Sequence, residues 1–479
     1  MLFNSYIFIF IFLPITFFVY FYLNNKKKTN LSKFFLVFSS LLFYSWWNLA
    51  YLPIILGSMT FNYVIGKKIN KSLHTDNTRY SKKFLLVFGI SLNILLLGYF
   101  KYADFFIENI NIAFRANLES LNLLLPLAIS FFTFQQIAYL IDCYRQEVNE
   151  YGFQNYAIFV TFFPQLIAGP IVHHKEMMPQ FMETSNKVKN YQNIVIGLFI
   201  FSIGLFKKVI IADTFSVWVN EGFDVQQNLD FFEAWATSLS YSFQLYFDFS
   251  GYTDMAIGLA LLFNIKLPVN FNSPYKATNI QDFWRRWHIT LSRFLRNYVY
   301  IPLGGNKQGN LKTFNNIIGT FLIGGLWHGA GWTFIFWGLL HGIAMVIHRL
   351  WSKIGIKLWP WLGWLITFNF VNIAWIFFRA RDWEDAIKVL APMFNLKNIE
   401  SNNLEILNIY NSFNYWFILF AFLIVLLTKN TYKIYSKLSY KKIKIFQILF
   451  IFVLFSISFL QMNLLKITSF DSSFLYFNF

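Results

Sequence analysis

Apolar runs long enough to cross a bilayer recur from one end of this chain to the other, and no other feature narrows its possible folds so far. A helix crosses the hydrocarbon core with roughly 17–25 residues, and about eleven segments of that kind can be read. Only 13% of the residues are charged, while 56% are hydrophobic and 22% aromatic; a soluble domain carries about 25% charged residues. The expected fold class is therefore an all-α integral membrane protein. The first run, from about Ser5 to Leu23, reads as a retained anchor, because it is long and aromatic and is followed by Asn-Asn-Lys-Lys-Lys instead of small residues.

The formal net charge is +17. The basic residues gather in short loops beside apolar runs, which is the signature of topology and not of nucleic-acid binding. Lys26 to Lys28, Lys67, Lys68, Lys71, and the late group Lys433, Lys437, Lys441, Lys442 and Lys444 are expected on the cytoplasmic side, with both chain ends outside. The single cysteine, Cys143, forms no intrachain disulfide and reads as a buried thiol. With no repeat, linker or long polar stretch, the chain reads as one polytopic domain over residues 1–479, with a catalytic core at about 120–380. A last span and an external tail are expected over 443–479.

Helices starting near Phe34, Phe84, Leu121 and Ile194 read as plain spans, and Ala234 to Phe263 as a long one with polar residues midway. Three stretches do not. Pro164, Gly169 and Pro170 interrupt Thr161-Phe-Phe-Pro-Gln-Leu-Ile-Ala-Gly-Pro170, so this segment is expected to be re-entrant and packed on protein, where its freed backbone groups find partners. Asn279 to Ile301 interleaves arginines with Phe283, Trp284, Trp287, Leu291, Phe294 and Leu295, predicting an amphipathic segment at the cytoplasmic interface. Phe314 to Ile347 is too long for one crossing and holds Gly324, Gly325, Gly329 and Gly331, predicting a broken helix beside a cavity.

Seven histidines are present. His74 lies in a polar loop, and His173 and His174 follow the Gly-Pro break; solvated or interfacial roles suit them. His328 sits inside the broken apolar run, where an ionisable side chain is expensive and tends to be functional. Taken out of water, an imidazole favours its neutral form, which accepts a proton as a general base does. Packing between helices is the competing role for His328, and the stronger one for His341. His288 stands beside cationic side chains. From Lys276 to Lys312 seven basic residues face one acid, Asp282; a phosphate-rich ligand or anionic lipid headgroups would both suit them. His341 and His348 lie two turns apart, too far to share a metal ion, and no metal site is expected. No Gly-x-Ser-x-Gly elbow, His-Glu-x-x-His pattern or Walker loop occurs.

Five ordered motifs complete the pattern: Asp248-Phe-Ser-Gly-Tyr-Thr-Asp-Met-Ala-Ile-Gly-Leu259, Asn270-Phe-Asn-Ser-Pro-Tyr275, Phe283-Trp-Arg-Arg-Trp-His288, Ile301-Pro-Leu-Gly-Gly-Asn306 and Leu326-Trp-His-Gly-Ala-Gly-Trp-Thr333. Together with Ile129 to Gln135, Phe163 to Pro170 and Trp375-Ile-Phe-Phe-Arg-Ala380, they resemble the membrane-bound O-acyltransferase family, in its bacterial branch that O-acetylates alginate and peptidoglycan. The resemblance implies a multi-span helical ring with a central tunnel, His328 and His288 as catalytic residues, and acetyl-CoA as donor. The basic stretch becomes the donor site, with Arg285, Arg286, Trp287, Arg293 and Arg296, while Trp327, Trp332, Asp248 and Ser250 are expected along the tunnel. The implied setting is the bacterial inner membrane, with membrane lipid around the chain, a polysaccharide acceptor and a separate extracytoplasmic O-acetyltransferase partner. The tail Asp471-Ser-Ser-Phe-Leu-Tyr-Phe-Asn-Phe479 resembles the aromatic terminal motif of a small peptide of teichoic-acid D-alanylation, which makes Tyr476 an acyl-relay candidate; an interfacial aromatic anchor is the other role open to it. Two further functions stay open: D-alanyl transfer to teichoic acid within the family, and a transporter outside it. Asp254 and Met255 favour the acetylating type.

Overall fold

The computed structural model describes residues 1–71, 81–148, 152–395, 409–435, 445–467 and 474–475. His74 and Tyr476 fall outside them. Every regular element among the described residues is helical, and the chain divides into two compact units.

The first unit comprises the described residues of Met1–Ser202 and Tyr252–Pro268. Its helices are α1 (Leu13–Asn25), α2 (Thr29–Ser45), α3 (Leu52–Lys71), α4 (Lys82–Phe114), α5 (Ile129–Tyr144), α6 (Gly152–Thr161), α7 (Phe163–Leu166), α8 (His174–Met182) and the start of α9 (Tyr191–Phe206). Ser81 caps α4 by accepting the Phe84 N–H at 3.2 Å. Between α3 and α4, Asn62 and Asn93 exchange amide hydrogen bonds of 2.7 and 3.0 Å, and each donates to its own helix one turn back. Two buried amides are thereby satisfied without water. Residues 161–170 behave as expected of a segment packed on protein, for all of them are buried. Pro164 interrupts the helical ladder here. The Phe159 carbonyl takes side-chain N–H bonds from Gln135 (2.7 Å) and Gln165 (2.6 Å), and the Phe163 N–H goes to Ser40 Oγ at 3.2 Å. Cys143 is buried, as read.

A helix starting near Leu121 does not form. Residues 115–126 are irregular, and α5 begins only at Ile129, after Pro126 and a left-handed Ala128. Proline clashes with the carbonyl four residues back, so an apolar run containing it at this point cannot be helical throughout.

The second unit comprises the described residues of Ile203–Gly251, Val269–Leu438 and Lys444–Phe479. It holds α10 (Asp213–Asn220), the first part of α11 (Phe231–Leu262), α12 (Ile280–Trp284), α13 (Ile289–Leu295), α14 (Gly309–His328), α15 (Trp332–Ile354), α16 (Pro360–Arg379), α17 (Trp383–Leu390), α18 (Ile409–Leu427), α19 (Thr431–Tyr435) and α20 (Ile445–Ile467). The long run from Phe314 is broken, as expected, at Gly329–Gly331 between α14 and α15. These two helices lie backbone against backbone: a methyl group at Gly325 would collide with the Phe334 carbonyl oxygen, and one at Gly338 with that of Phe321.

Asn279 to Ile301 holds two short helices, α12 and α13, instead of a continuous one. It is capped at Asn279, whose side chain accepts the Asp282 N–H at 2.8 Å, and breaks at His288, which has φ +42°. The break is paired from outside: Asn272 N–H donates to Arg286 O (2.9 Å), Ile289 N–H to Asn270 O (3.0 Å), and Thr290 N–H to Asn270 Oδ1 (3.2 Å). An apolar and basic alternation cannot show that a second strand of chain will replace the helical bonds.

Six helices among the described residues are long and apolar enough to cross a membrane, fewer than the eleven or so read from the sequence. They are Phe8–Asn25, Leu49–Lys71, Lys82–Phe114, Tyr191–Val225, Trp332–Ile354 and Pro360–Arg379. The difference has identifiable causes. Helices α2 and α5 have 17 and 16 residues, α11 carries Glu233, Asp248 and Asp254, and α14 is diluted by asparagine, threonine and glycine.

Candidate active site

His328 is the last residue of α14, placed there by the glycine break that ends the helix. Its ring is almost wholly buried and is enclosed by Trp327, Trp337 and Phe378, with centroids 4.7, 5.1 and 5.0 Å away. Three aromatic rings fix its orientation and thin the water around it, which strengthens any proton transfer it takes part in.

His328 opens onto a cavity of 710 Å³. Trp337 and Gly324 border it near the imidazole, and Arg285, Arg296, His348 and Arg349 border it elsewhere. Trp337 and Ser352 both line it and stand fifteen positions apart on α15, so the cavity runs about 22 Å along that helix at 1.5 Å per residue. Such a shape suits an elongated ligand with an anionic head and a reactive far end.

His288 is fully buried and does not line this cavity; it stands behind Trp327 (centroids 6.2 Å) and against Phe249 (4.8 Å). Trp327 thus touches both histidines. The Asn270 atom facing His288 Nδ1 at 3.1 Å also accepts the Thr290 backbone N–H and hydroxyl, so it is an oxygen and His288 donates from Nδ1. Its Nε2 then carries a lone pair. Burial holds the ring neutral, pushing its pKa down to about 3. The neutral ring in this tautomer accepts a hydrogen bond at Nε2 and has no proton to donate there.

The other expected residues divide by place. Arg285 and Arg296 line the cavity and are exposed. Arg286 instead pairs with Asp282 at 2.9 Å, Trp287 is buried on Trp375 with centroids 4.9 Å apart, and Arg293 lies off the cavity wall. Trp332 is 55% exposed at the start of α15, while Ser250 is buried and Asp248 is bound to Lys208 at 2.8 Å; neither borders the cavity. His341 is buried in aromatic rings and accepts the Trp284 Nε1–H at 3.3 Å, a packing role. Among the described residues no group of histidine, cysteine and carboxylate side chains could hold a metal ion.

Sequence reasoning passed over Arg349 and gave His348 no binding role. A signal existed: Met345, His348, Arg349 and Ser352 recur at helical spacing, so one face of α15 carries all four into the cavity.

Among the described residues, membrane-length helices surround a buried imidazole on the wall of a long cavity that arginines also border, an arrangement that agrees with a membrane-bound acyltransferase. The chain belongs to the membrane-bound O-acyltransferase family, whose family model matches residues 1–381. It is 55% identical over 429 residues to the peptidoglycan O-acetyltransferase of Helicobacter pylori, covering 83% of this chain and 81% of that one. It is 39% identical over 418 residues to the probable alginate O-acetylase AlgI of Pseudomonas aeruginosa, covering 85% and 78%. A teichoic acid D-alanyltransferase of Streptococcus thermophilus is 28% identical over 280 residues, covering 53% and 68%.

Proposed function

We propose that this protein takes an acetyl group from acetyl-CoA on the cytoplasmic side of the bacterial inner membrane and passes it outward for O-acetylation of an extracytoplasmic polysaccharide, peptidoglycan before an alginate-like polymer. The observation that carries this reading is the cavity with His328 on its wall and Arg285, Arg296 and Arg349 around it. Arginines suit the phosphates of the donor, and about 22 Å of helix-lined length suits its pantetheine arm.

In this mechanism an acceptor hydroxyl oxygen bonds to the thioester carbonyl carbon while its proton moves to the lone-pair nitrogen of His328. The carbon–sulfur bond then breaks, and the imidazolium returns the proton to the departing thiolate. His288 holds Trp327, and through it the His328 ring, in place. The first acceptor is either the external partner's substrate or Tyr476 in the tail. An extracytoplasmic transferase completes delivery, and both chain ends face outward. The greater identity to acetylating relatives than to the D-alanylating one favours acetyl over D-alanyl.

Purified protein supplied with acetyl-CoA alone, without any carrier protein, should release free CoA thiol when an acceptor is present. Arg349→Gln should raise the KM for acetyl-CoA about tenfold, the equivalent of one charge-assisted phosphate contact, and leave kcat near its original value. Activity only with an acylated carrier protein would refute the donor assignment.

A further inference from the structure

A buried charge cluster in the second unit plays no part in the mechanism above. Lys208 Nζ lies 2.7 Å from Asp213 Oδ1 and 2.8 Å from Asp248 Oδ1, and all three side chains are almost completely enclosed. Removing charges from water is expensive, and a lone ammonium between two carboxylates leaves acceptor capacity to be met by other donors. One such donor comes from far along the chain: the backbone N–H of Leu475 donates to Asp248 Oδ2 at 3.0 Å. The preceding residue, Phe474, is 1% exposed and packs on Phe249, centroids 5.8 Å apart. Phe249 is the ring that stacks edge-on against His288 at 4.8 Å. Two adjacent residues of the carboxyl-terminal segment are therefore held at one place, by a hydrogen bond to a buried carboxylate and by an aromatic contact one ring from His288.

We propose that Lys208, Asp213 and Asp248 form a docking site for the carboxyl-terminal segment of this same chain, and that docking positions the segment for acetyl delivery. Lys208 and Asp213 orient the Asp248 carboxylate; Asp248 grips the Leu475 N–H; Phe249 seats Phe474. Asp248 is thus a positioning residue. The docking claim stands on the contacts alone, whereas its consequence for acetyl delivery rests on the function proposed above.

Full-length protein with Cys143→Ser and Ser473→Cys, which keeps Phe474 and Leu475, provides the test, with N-ethylmaleimide as the probe. Asp248→Ala removes the acceptor, and Leu475→Pro removes the N–H without touching the buried charges. Each should speed labelling of position 473 at least tenfold, and the two together should add little beyond either one. In cells, both variants in the otherwise native chain should lower polymer O-acetyl content at least tenfold. Purified Asp248→Ala should bind CoA with its original affinity, which a collapsed fold would not do. Unchanged labelling in Leu475→Pro would overturn the docking site. Faster labelling with unchanged O-acetyl content would overturn its role in delivery, and loss of acetylation in His328→Ala distinguishes that result from failure of the acetyltransferase reading itself.

Discussion

At the scale of single residues, two histidines in one motif-rich stretch have different environments and therefore different chemistry. His328 is boxed by aromatics and borders the cavity, while His288 is tied to Asn270 and buried away from it. The second has a measurable consequence. In the unfolded chain its pKa is the ordinary 6.5, and in the folded protein burial holds it to about 3. Between those values the unfolded state binds a proton that the folded state does not, so stability falls as pH drops below 6.5. Each pH unit costs about 1.4 kcal/mol for this one group. The thermal midpoint of detergent-solubilised protein should fall more steeply from pH 6.5 to 5 in the native chain than in His288→Gln; equal slopes would show that His288 is not held neutral. His328 was legible as a functional candidate because an ionisable group in an apolar run stands out locally. The tautomer of His288 was not, because it depends on Asn270, eighteen positions earlier.

At the scale of elements, the glycines of α14 and α15 explain how the His328 imidazole comes to lie beside Trp337. Gly325 and Gly338 let the two helices touch through their backbones, and Gly329–Gly331 turns the chain between them. Gly325→Ala should destabilise the protein by about 1–3 kcal/mol through overpacking and should reduce acetyl transfer with it. A thermal-unfolding and activity comparison with Gly319→Ala checks this, since nothing lies within 4 Å of a methyl group at Gly319. Equal effects of the two substitutions would contradict close packing as the cause. The broken run was readable because its glycines are contiguous with it. The break at His288 and the late start of α5 were less so: one depends on pairing with Asn270 and Asn272, and the other on a proline inside an otherwise apolar stretch.

At the scale of the whole molecule, composition was enough to establish a helical membrane protein, and ordered motifs were enough to establish its family. The cavity was only half legible. Arg285 and Arg296 come from the basic stretch, whereas Arg349 joins them because α15 folds back along α14. The Lys208, Asp213 and Asp248 cluster was invisible for a related reason: Lys208 and Asp213 share the helical run Tyr191–Val225, but Asp248 comes from α11 and joins them only through tertiary packing. The central claim is that one imidazole on the cavity wall moves the proton in acetyl transfer. The direct test is the O-acetyl content of the cell-wall polymer in cells whose only copy carries His328→Ala at the normal protein level. Loss of a general base predicts a fall of about 10²–10⁴-fold in transfer rate, and hence a polymer with almost no O-acetyl groups; acetylation at the original level would contradict the account.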